Sequence, residues 1–230
     1  MSRVLPILFN GDMVRAILDG RKTVTRRLIK SQPPYDVQCP LGYCTDGYKS
    51  EIGKFAFGSH KDGGKMIFCK PPYQQGNILY VRETWQYLYE LDGNEQVIED
   101  TGKYYYAATD TIPFNTYVDK NGVEHDHAPW KPSIHMPKEA ARIWLKVTDV
   151  RVERLQEITE EQAKAEGAID NRGFIHSPDN EYNSIHTAKE HFKQIWNSTI
   201  KKSDIDRYGW DASPWVWVIE FERCEKPEGV

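Results

Sequence analysis

The sequence predicts a mixed α+β fold whose several antiparallel strands are compatible with a small β-barrel flanked by helices. Residues 215–223 place large apolar side chains at every second position, which is the period of a β-strand. The segments Thr159-x-x-Gln162 and Thr187-x-x-Glu190 fit capping boxes, in which a hydroxyl and a side-chain carbonyl satisfy free amides of a helix's first turn. Aromatic residues make up 12% of the chain, a composition that favours β-structure over a helical bundle.

The N-terminal residues predict a strand followed by a helix. Residues 4–9 are mostly apolar and predict a short buried strand, and residues 13–18 have the apolar period of a helix. Asn10 or Asp12 can cap this helix. Gly20 can end it in the left-handed conformation that most residues avoid, so that the chain reverses and presents the side chains that follow.

Two irregular insertions are predicted within one domain that covers residues 1–230. Residues 31–75 are rich in Pro, Gly, Tyr and Lys with little periodicity, so we expect an irregular segment that can contain a hairpin. Residues 92–131 form a second polar insertion around a tyrosine-rich strand at residues 103–107. The remaining strand predictions have alternating or β-branched sequences and cover residues 76–83 and 140–155.

Charge and hydropathy exclude several classes of protein. The net charge of −4 argues against a surface coated in basic residues for broad nucleic-acid binding, although it leaves room for a local basic groove. No apolar run approaches the roughly 20 residues that span a bilayer. The sequence therefore predicts a cytoplasmic protein without a membrane partner, and it leaves the oligomeric state open.

The four cysteines do not have the spacing of a disulfide-rich protein, and cytoplasmic thiols normally stay reduced. Cys39, Cys44 and Cys69, with His60 between them, contain ligand types that bind zinc. No short Cys-x-x-Cys pair accompanies them, so unligated thiols are the favoured interpretation and no metal site is predicted.

Residues 20–27 contain one lysine, two threonines and three arginines. Within them, Gly20-x-Lys22-x-x-Thr25-x-Arg27 resembles the Gly-x-Lys-x-x-Thr-x-Arg signature of the ASCH domain, a PUA-like β-barrel. The resemblance to long ASCH proteins of phage and prophage genomes extends to Pro6-Ile7-Leu8-Phe9, Val81-Arg82-Glu83-Thr84-Trp85, Ile134-His135-Met136-Pro137 and Trp215-Val216-Trp217-Val218-Ile219-Glu220-Phe221. It implies a PUA-like barrel for the whole chain.

Residues 158–167 resemble the helix that carries the catalytic glutamate in small bacterial ASCH enzymes, the N(4)-acetylcytidine amidohydrolases. The resemblance assigns that role to Glu166 and the other two catalytic roles to Lys22 and Thr25. It implies hydrolysis of an N(4)-acylated cytosine nucleoside or a related modified nucleobase, with no metal or cofactor needed.

An amine, a hydroxyl and a carboxyl together suit amide hydrolysis. Thr25 would be the nucleophile or would position water, and Lys22 would accept a proton or stabilise the oxyanion. Glu166 lies at the end of a predicted helix, where the partial negative charge of the helix disfavours a carboxylate and suits a general acid. Residues three apart in a regular strand face opposite sides, so Lys22 and Thr25 converge only across a turn or bulge. The alternative is a solvated basic face and a packed Thr25.

Several further residues are predicted to line the substrate site, each with a structural alternative. The arginines and the acid can hold a phosphate or a base edge, or form structural ion pairs. The tryptophans can stack on a nucleobase or complete the core, and the histidine can line the pocket or make a structural hydrogen bond. These residues are Arg26, Arg27, Arg82, Glu83, Trp85, His135 and Trp215.

Two rival functions remain at this point. PUA-like barrels often bind RNA, and the cationic residues between Arg21 and Lys30 offer phosphate contacts. Some ASCH relatives are ribonucleases, in which lysine and a hydroxyl would assist phosphodiester cleavage. The glutamate of the trio favours the amidohydrolase, because phosphate binding gives no reason for a carboxylate beside a cationic cluster.

Overall fold

The computed structural model describes residues 3–34, 37–59, 65–94, 96–113, 117–171 and 186–229. The described helices are α1 (Gly11–Leu18), α2 (Glu160–Ala165), α3 (Ala188–Thr199) and α4 (Ile205–Tyr208). The described strands are β1 (Val4–Leu8), β2 (Val24–Leu28), β3 (Cys39–Tyr43), β4 (Phe55–Gly58), β5 (Met66–Cys69), β6 (Ile78–Arg82), β7 (Trp85–Leu88), β8 (Lys103–Tyr106), β9 (Tyr117–Val118), β10 (Glu124–His125), β11 (Trp144–Arg154) and β12 (Trp215–Cys224). The chain is thus a mixed α+β protein, as predicted.

The chain divides into two compact units, each assembled from separate stretches of sequence. The first unit contains Met1–Gly20, Ile78–Lys146 and Arg223–Val230, and the second contains Arg21–Asn77 and Val147–Glu222. Neither unit is therefore a continuous segment of the chain.

In the first unit, β1 pairs in parallel with β6 over five residues, and the first three residues of β11 pair antiparallel with β6. β7 and β8 form a second antiparallel pair. α1 begins after Asn10, whose side-chain oxygen accepts a 2.9 Å hydrogen bond from the Met13 amide. The core of this unit contains Trp85, Met136, Ala140, Ala141 and Trp144.

In the second unit, β2 and β12 pair antiparallel in a continuous register, with Thr25 opposite Ile219. Both predicted capping boxes are confirmed, because the threonine and the third helical residue bond reciprocally at the starts of α2 and α3. The two helices pack on the strands through a core of Val24, Leu155, Ile158, Ala163, Ala168, Ala188, Phe192, Trp196, Trp210, Val216 and Val218.

The first predicted insertion has more order than its sequence indicates. Residues 31–75 contain a three-stranded antiparallel sheet in the order β3, β4, β5. Phe57 is fully buried and its ring lies 5.2 Å from that of Trp215. The prediction allowed for a hairpin in this segment. The structure has three paired strands there, and the segment supplies aromatic side chains to the interior.

The barrel expectation is not met among the described residues, where the strands form open sheets. A closed barrel requires every strand to pair on both of its edges. β1 pairs with β6 alone and β2 pairs with β12 alone within the described chain, so each leaves one edge without a strand partner there.

Candidate active site

Lys22 lies in a short segment between α1 and β2 rather than within a strand. Gly20 has a φ of +73°, a left-handed backbone that favours glycine, as the sequence predicts. β2 begins only at Val24, so strand alternation does not dictate the direction of the Lys22 side chain. Its ammonium turns back and donates a 2.8 Å hydrogen bond to the Val24 carbonyl.

The segment that contains Lys22 is bound to the end of α2 by three successive residues. The Thr23 amide donates to the Ala165 carbonyl at 2.9 Å, and Lys22 Nζ donates to the Glu166 carbonyl at 2.8 Å. Arg21 Nη1 donates to the Gly167 carbonyl at 3.2 Å. The last carbonyls of a helix lack partners within the helix, so this segment satisfies them and fixes Lys22 against Glu166.

Lys22 and Glu166 form a buried ion pair between residues that are far apart in the sequence. Lys22 Nζ lies 2.7 Å from Glu166 Oε2, and the two residues are 2% and 7% exposed. The carboxyl group therefore points into the protein and not into solvent. With the two carbonyl acceptors, the carboxylate gives the ammonium three oxygen partners, which matches its three N–H groups.

The charges around Lys22 set opposing influences on its protonation. Burial lowers the pKa of Lys22 below its ordinary 10.5, and the adjacent Glu166 carboxylate raises it. The neighbouring Arg27 and Arg26 lower it further. A lysine whose pKa is lowered by burial releases its proton more readily than an exposed lysine does.

Arg26 holds Glu166 from a second direction. Its side chain is fully buried, with Nη1 at 3.4 Å from Glu166 Oε1 and Nη2 at 2.8 Å from Glu153 Oε2. Nη2 also donates to Gln162 Oε1 at 3.0 Å. Its Nε atom is buried and has no hydrogen-bond partner among the described residues. Arg26 thus positions the carboxylate from within the core.

Thr25 and Arg27 follow the alternation of β2 and share the face opposite Val24 and Arg26. Thr25 is 1% exposed, while Arg27 is half-buried and lines a cavity of about 520 Å³. Burial lowers the pKa of Arg27 and the Glu166 carboxylate opposes that change, so Arg27 is within electrostatic reach of the Lys22–Glu166 pair.

Two of the predicted substrate ligands in the first unit make structural bonds. Glu83 is 1% exposed and receives hydrogen bonds from Arg142 Nε and Nη2, both at 2.9 Å. Arg82 Nε donates to the Met136 carbonyl at 2.7 Å. The ion-pair partner of Glu83 is thus Arg142 and not the adjacent Arg82, because neighbours in an extended chain point to opposite sides.

The predicted stacking tryptophans are buried, each within its own unit. Trp85 belongs to the core of the first unit, where Lys131 Nζ lies 5.0 Å from its ring centre. Trp215 belongs to the second unit, and the Arg154 guanidinium lies 4.4 Å from its ring centre. Both rings thus serve as core residues, while His135 lies exposed in a 3₁₀ turn.

The cysteines are free thiols in the described residues. Cys69 is buried, which raises its pKa, and its sulfur lies 3.7 Å from the Ser31 carbonyl. His60 lies outside the described residues. Within the described ranges, no group of three or more His, Cys, Asp and Glu side chains is arranged to hold a metal ion.

Sequence reasoning missed two residues that hold the site together. Glu153 on β11 bonds Arg26, and nothing local in its sequence marks that role. Gln162 was predicted as a capping residue, and its Oε1 accepts from both the Thr159 amide and Arg26 Nη2, each at 3.0 Å. The capping box therefore indicated Gln162 as a capping residue, but it did not indicate the bond between Gln162 and Arg26.

Comparisons with known proteins give one structural similarity. No family model and no curated protein matches the chain. The crystal structure of protein EF3133 from Enterococcus faecalis V583, described as DUF984, is similar with 12% identity and a TM-score of 0.37 over 100% of this chain and 84% of that chain. A similarity of this size carries no argument about function, so the ASCH resemblance stays a prediction.

Among the described residues, no helix has both the length and the apolar character to cross a bilayer.

Proposed function

We propose that this protein is an amidohydrolase that removes the acyl group from an N(4)-acylated cytosine nucleoside or a related modified nucleobase. The observation that carries the proposal is the buried contact of 2.7 Å between Lys22 Nζ and Glu166 Oε2. These two residues come from separate parts of the sequence, and the resemblance to the acetylcytidine enzymes selects the same two from the sequence alone.

In the proposed reaction, water adds to the acyl carbon, the bond between that carbon and N4 breaks, and a carboxylic acid and the free cytosine amine are released. Thr25 would orient that water, or as the nucleophile it would first take the acyl group from N4 and pass it to water in a second step. Lys22 would accept the proton of the attacking group or stabilise the oxyanion, and Glu166 would deliver a proton to the leaving nitrogen. Arg27, which shares a face of β2 with Thr25, lines the cavity, and we propose that substrate enters there.

The assay that tests this function measures cytidine released from N(4)-acetylcytidine by the purified full chain. We expect release by the wild type, and a loss of about 10²-fold or more in Lys22→Ala, Thr25→Ala and Glu166→Ala, since general acid–base groups contribute on that scale. Lys202→Ala, which changes an exposed lysine, is the matched control and should keep full activity. A folded wild type that is inert toward a panel of N(4)-acyl cytidines would overturn the proposal.

RNA binding is the second candidate, and the burial of two cations weighs against it. Lys22 and Arg26 are buried in ion pairs with Glu166, so their charges do not lie on the surface that an RNA backbone would contact. Arg21 and Lys30 are exposed. A salt-dependent shift of labelled RNA that disappears on combining Arg21→Glu with Lys30→Glu would favour this candidate instead.

A further inference from the structure

The cavity beside Arg27 combines positive charge with aromatic walls. Its cationic lining residues are Arg27, Lys30 and Lys70, and the part of the chain that the structure describes contributes no acidic side chain to the lining. The chain as a whole carries a net charge of −4, so this local excess of positive charge contrasts with the rest of the protein. Such an excess in a concave site attracts and retains an anion.

The aromatic walls of the cavity suit a flat ring. Phe68 and Tyr73 are half-buried and Trp217 is buried, so these rings are held in place by packing and do not need to be ordered on binding. A volume of about 520 Å³ lies within the range of sites that enclose a whole small molecule.

We infer that this cavity binds a nucleoside monophosphate, with the phosphate held by the three cations and the base against the aromatic walls. The inference rests on the proposed function and deepens it: the preferred substrate is the phosphate ester of the acylated cytosine nucleoside, and the free nucleoside is the poorer substrate. The guanidinium of Arg27 can hold two phosphate oxygens, and the two lysines act as mobile point charges.

The position of Arg27 connects this cavity to the candidate active site. Arg27 lies two residues after Thr25 on the same face of β2, and it is within electrostatic reach of Glu166. A phosphate on Arg27 would therefore anchor the ligand two residues away from Thr25 on that face of β2. A cavity with one cluster of cations suits a single nucleotide better than a continuous RNA strand, which needs a track of phosphate contacts.

Calorimetry with the full chain tests the inference without any turnover. The probes are cytidine 5′-monophosphate, cytidine, inorganic phosphate and a short single-stranded RNA, each at low and high salt. We expect the monophosphate to bind about 10-fold or more tightly than either cytidine or phosphate alone, since a charge-assisted contact adds at least that factor. Its affinity should fall as salt rises, and that of cytidine should not.

Removal of single charges locates the phosphate. Lys30→Ala and Lys70→Ala change exposed residues and should each weaken the monophosphate several-fold while leaving cytidine affinity unchanged. Lys202→Ala is the matched control and should alter neither. Equal affinity for cytidine and its monophosphate, equal affinity for phosphate alone, or tighter binding of RNA than of the monophosphate would each overturn the inference.

The two proposals fail separately. Hydrolysis of N(4)-acetylcytidine with no preference for its 5′-monophosphate would overturn the phosphate site and leave the amidohydrolase standing. Selective binding of cytidine 5′-monophosphate by a protein that hydrolyses no acylated substrate would leave the nucleotide site standing and overturn the amidohydrolase.

Discussion

Each unit of the protein buries a glutamate against a cation, and the two pairs differ in what the cation can do. Glu83 in the first unit accepts two parallel hydrogen bonds from Arg142, whose guanidinium also bonds Thr109 and lies 3.9 Å from the Tyr106 ring centre. Glu166 in the second unit bonds Lys22. An arginine stays charged at every accessible pH, whereas a buried lysine can release its proton.

Burial of a carboxylate does not by itself indicate a reactive site. Glu83 and Glu166 are both almost entirely buried. The Glu83 pair is fixed by a planar, bidentate geometry that provides rigidity and no exchangeable proton. The Glu166 pair couples a carboxyl group to an amine whose pKa is lowered by burial, which is the combination that proton transfer requires.

Replacing the lysine of one ion pair by arginine, and the arginine of the other by lysine, should give the largest difference between the two pairs. Lys22→Arg keeps the positive charge beside Glu166 but removes the exchangeable proton, so we expect deacylation to fall by about 10²-fold or more with the fold retained. The matched exchange, Arg142→Lys, should leave deacylation of N(4)-acetylcytidine within a few-fold of the wild type. Steady-state kinetics and circular dichroism measure both, and substantial activity in Lys22→Arg would contradict a proton-transfer role.

Breaking the pair in the first unit should affect stability and not chemistry. Arg142→Ala leaves the Glu83 carboxylate buried without its partner, and we expect a loss of about 3 kcal/mol in the free energy of unfolding. Denaturant titration measures the loss, and the activity per folded molecule should be unchanged. Glu83→Gln combined with Arg142→Ala should recover part of the loss because no buried charge remains. A double variant less stable than the single one would show that the residual carboxylate is not the cause.

The pH dependence of stability should show the smallest effect. The pKa of Lys22 in the folded state lies below its ordinary value of 10.5. At a pH between the folded-state pKa and 10.5, the unfolded chain therefore binds more protons than the folded chain. Stability contributed by this group therefore rises with pH toward 10.5. We expect the free energy of unfolding of the wild type, relative to Lys22→Met, to increase between neutral pH and pH 10. A decrease over that range would mean that the effect of the Glu166 carboxylate on the pKa of Lys22 is larger than the effect of burial, and that the pKa is raised.

Features that depend on interactions between residues close in the sequence were predicted more accurately than features that depend on distant residues. The caps at Thr159 and Thr187 were predicted, and Asn10 was one of two candidates for the first helix, because each bond joins residues three apart in the chain. The strand near the C-terminus was predicted because its apolar period lies within one segment. The sequence indicated at most a hairpin where β3, β4 and β5 form a sheet, since the segment has few alternating positions and its strands are stabilised by each other.

In the candidate site too, local features were predictable from the sequence and long-range contacts were not. The sequence alone determined the reactive residue types, the left-handed turn at Gly20 and the helix that ends just before Glu166, because these depend on local backbone preferences. Only the tertiary structure decided that Lys22 bonds Glu166, that Arg26 is buried behind the pair and that Glu83 bonds Arg142. Those contacts depend on long-range packing, and a side chain's partner across more than 50 residues has no signature in its own neighbourhood.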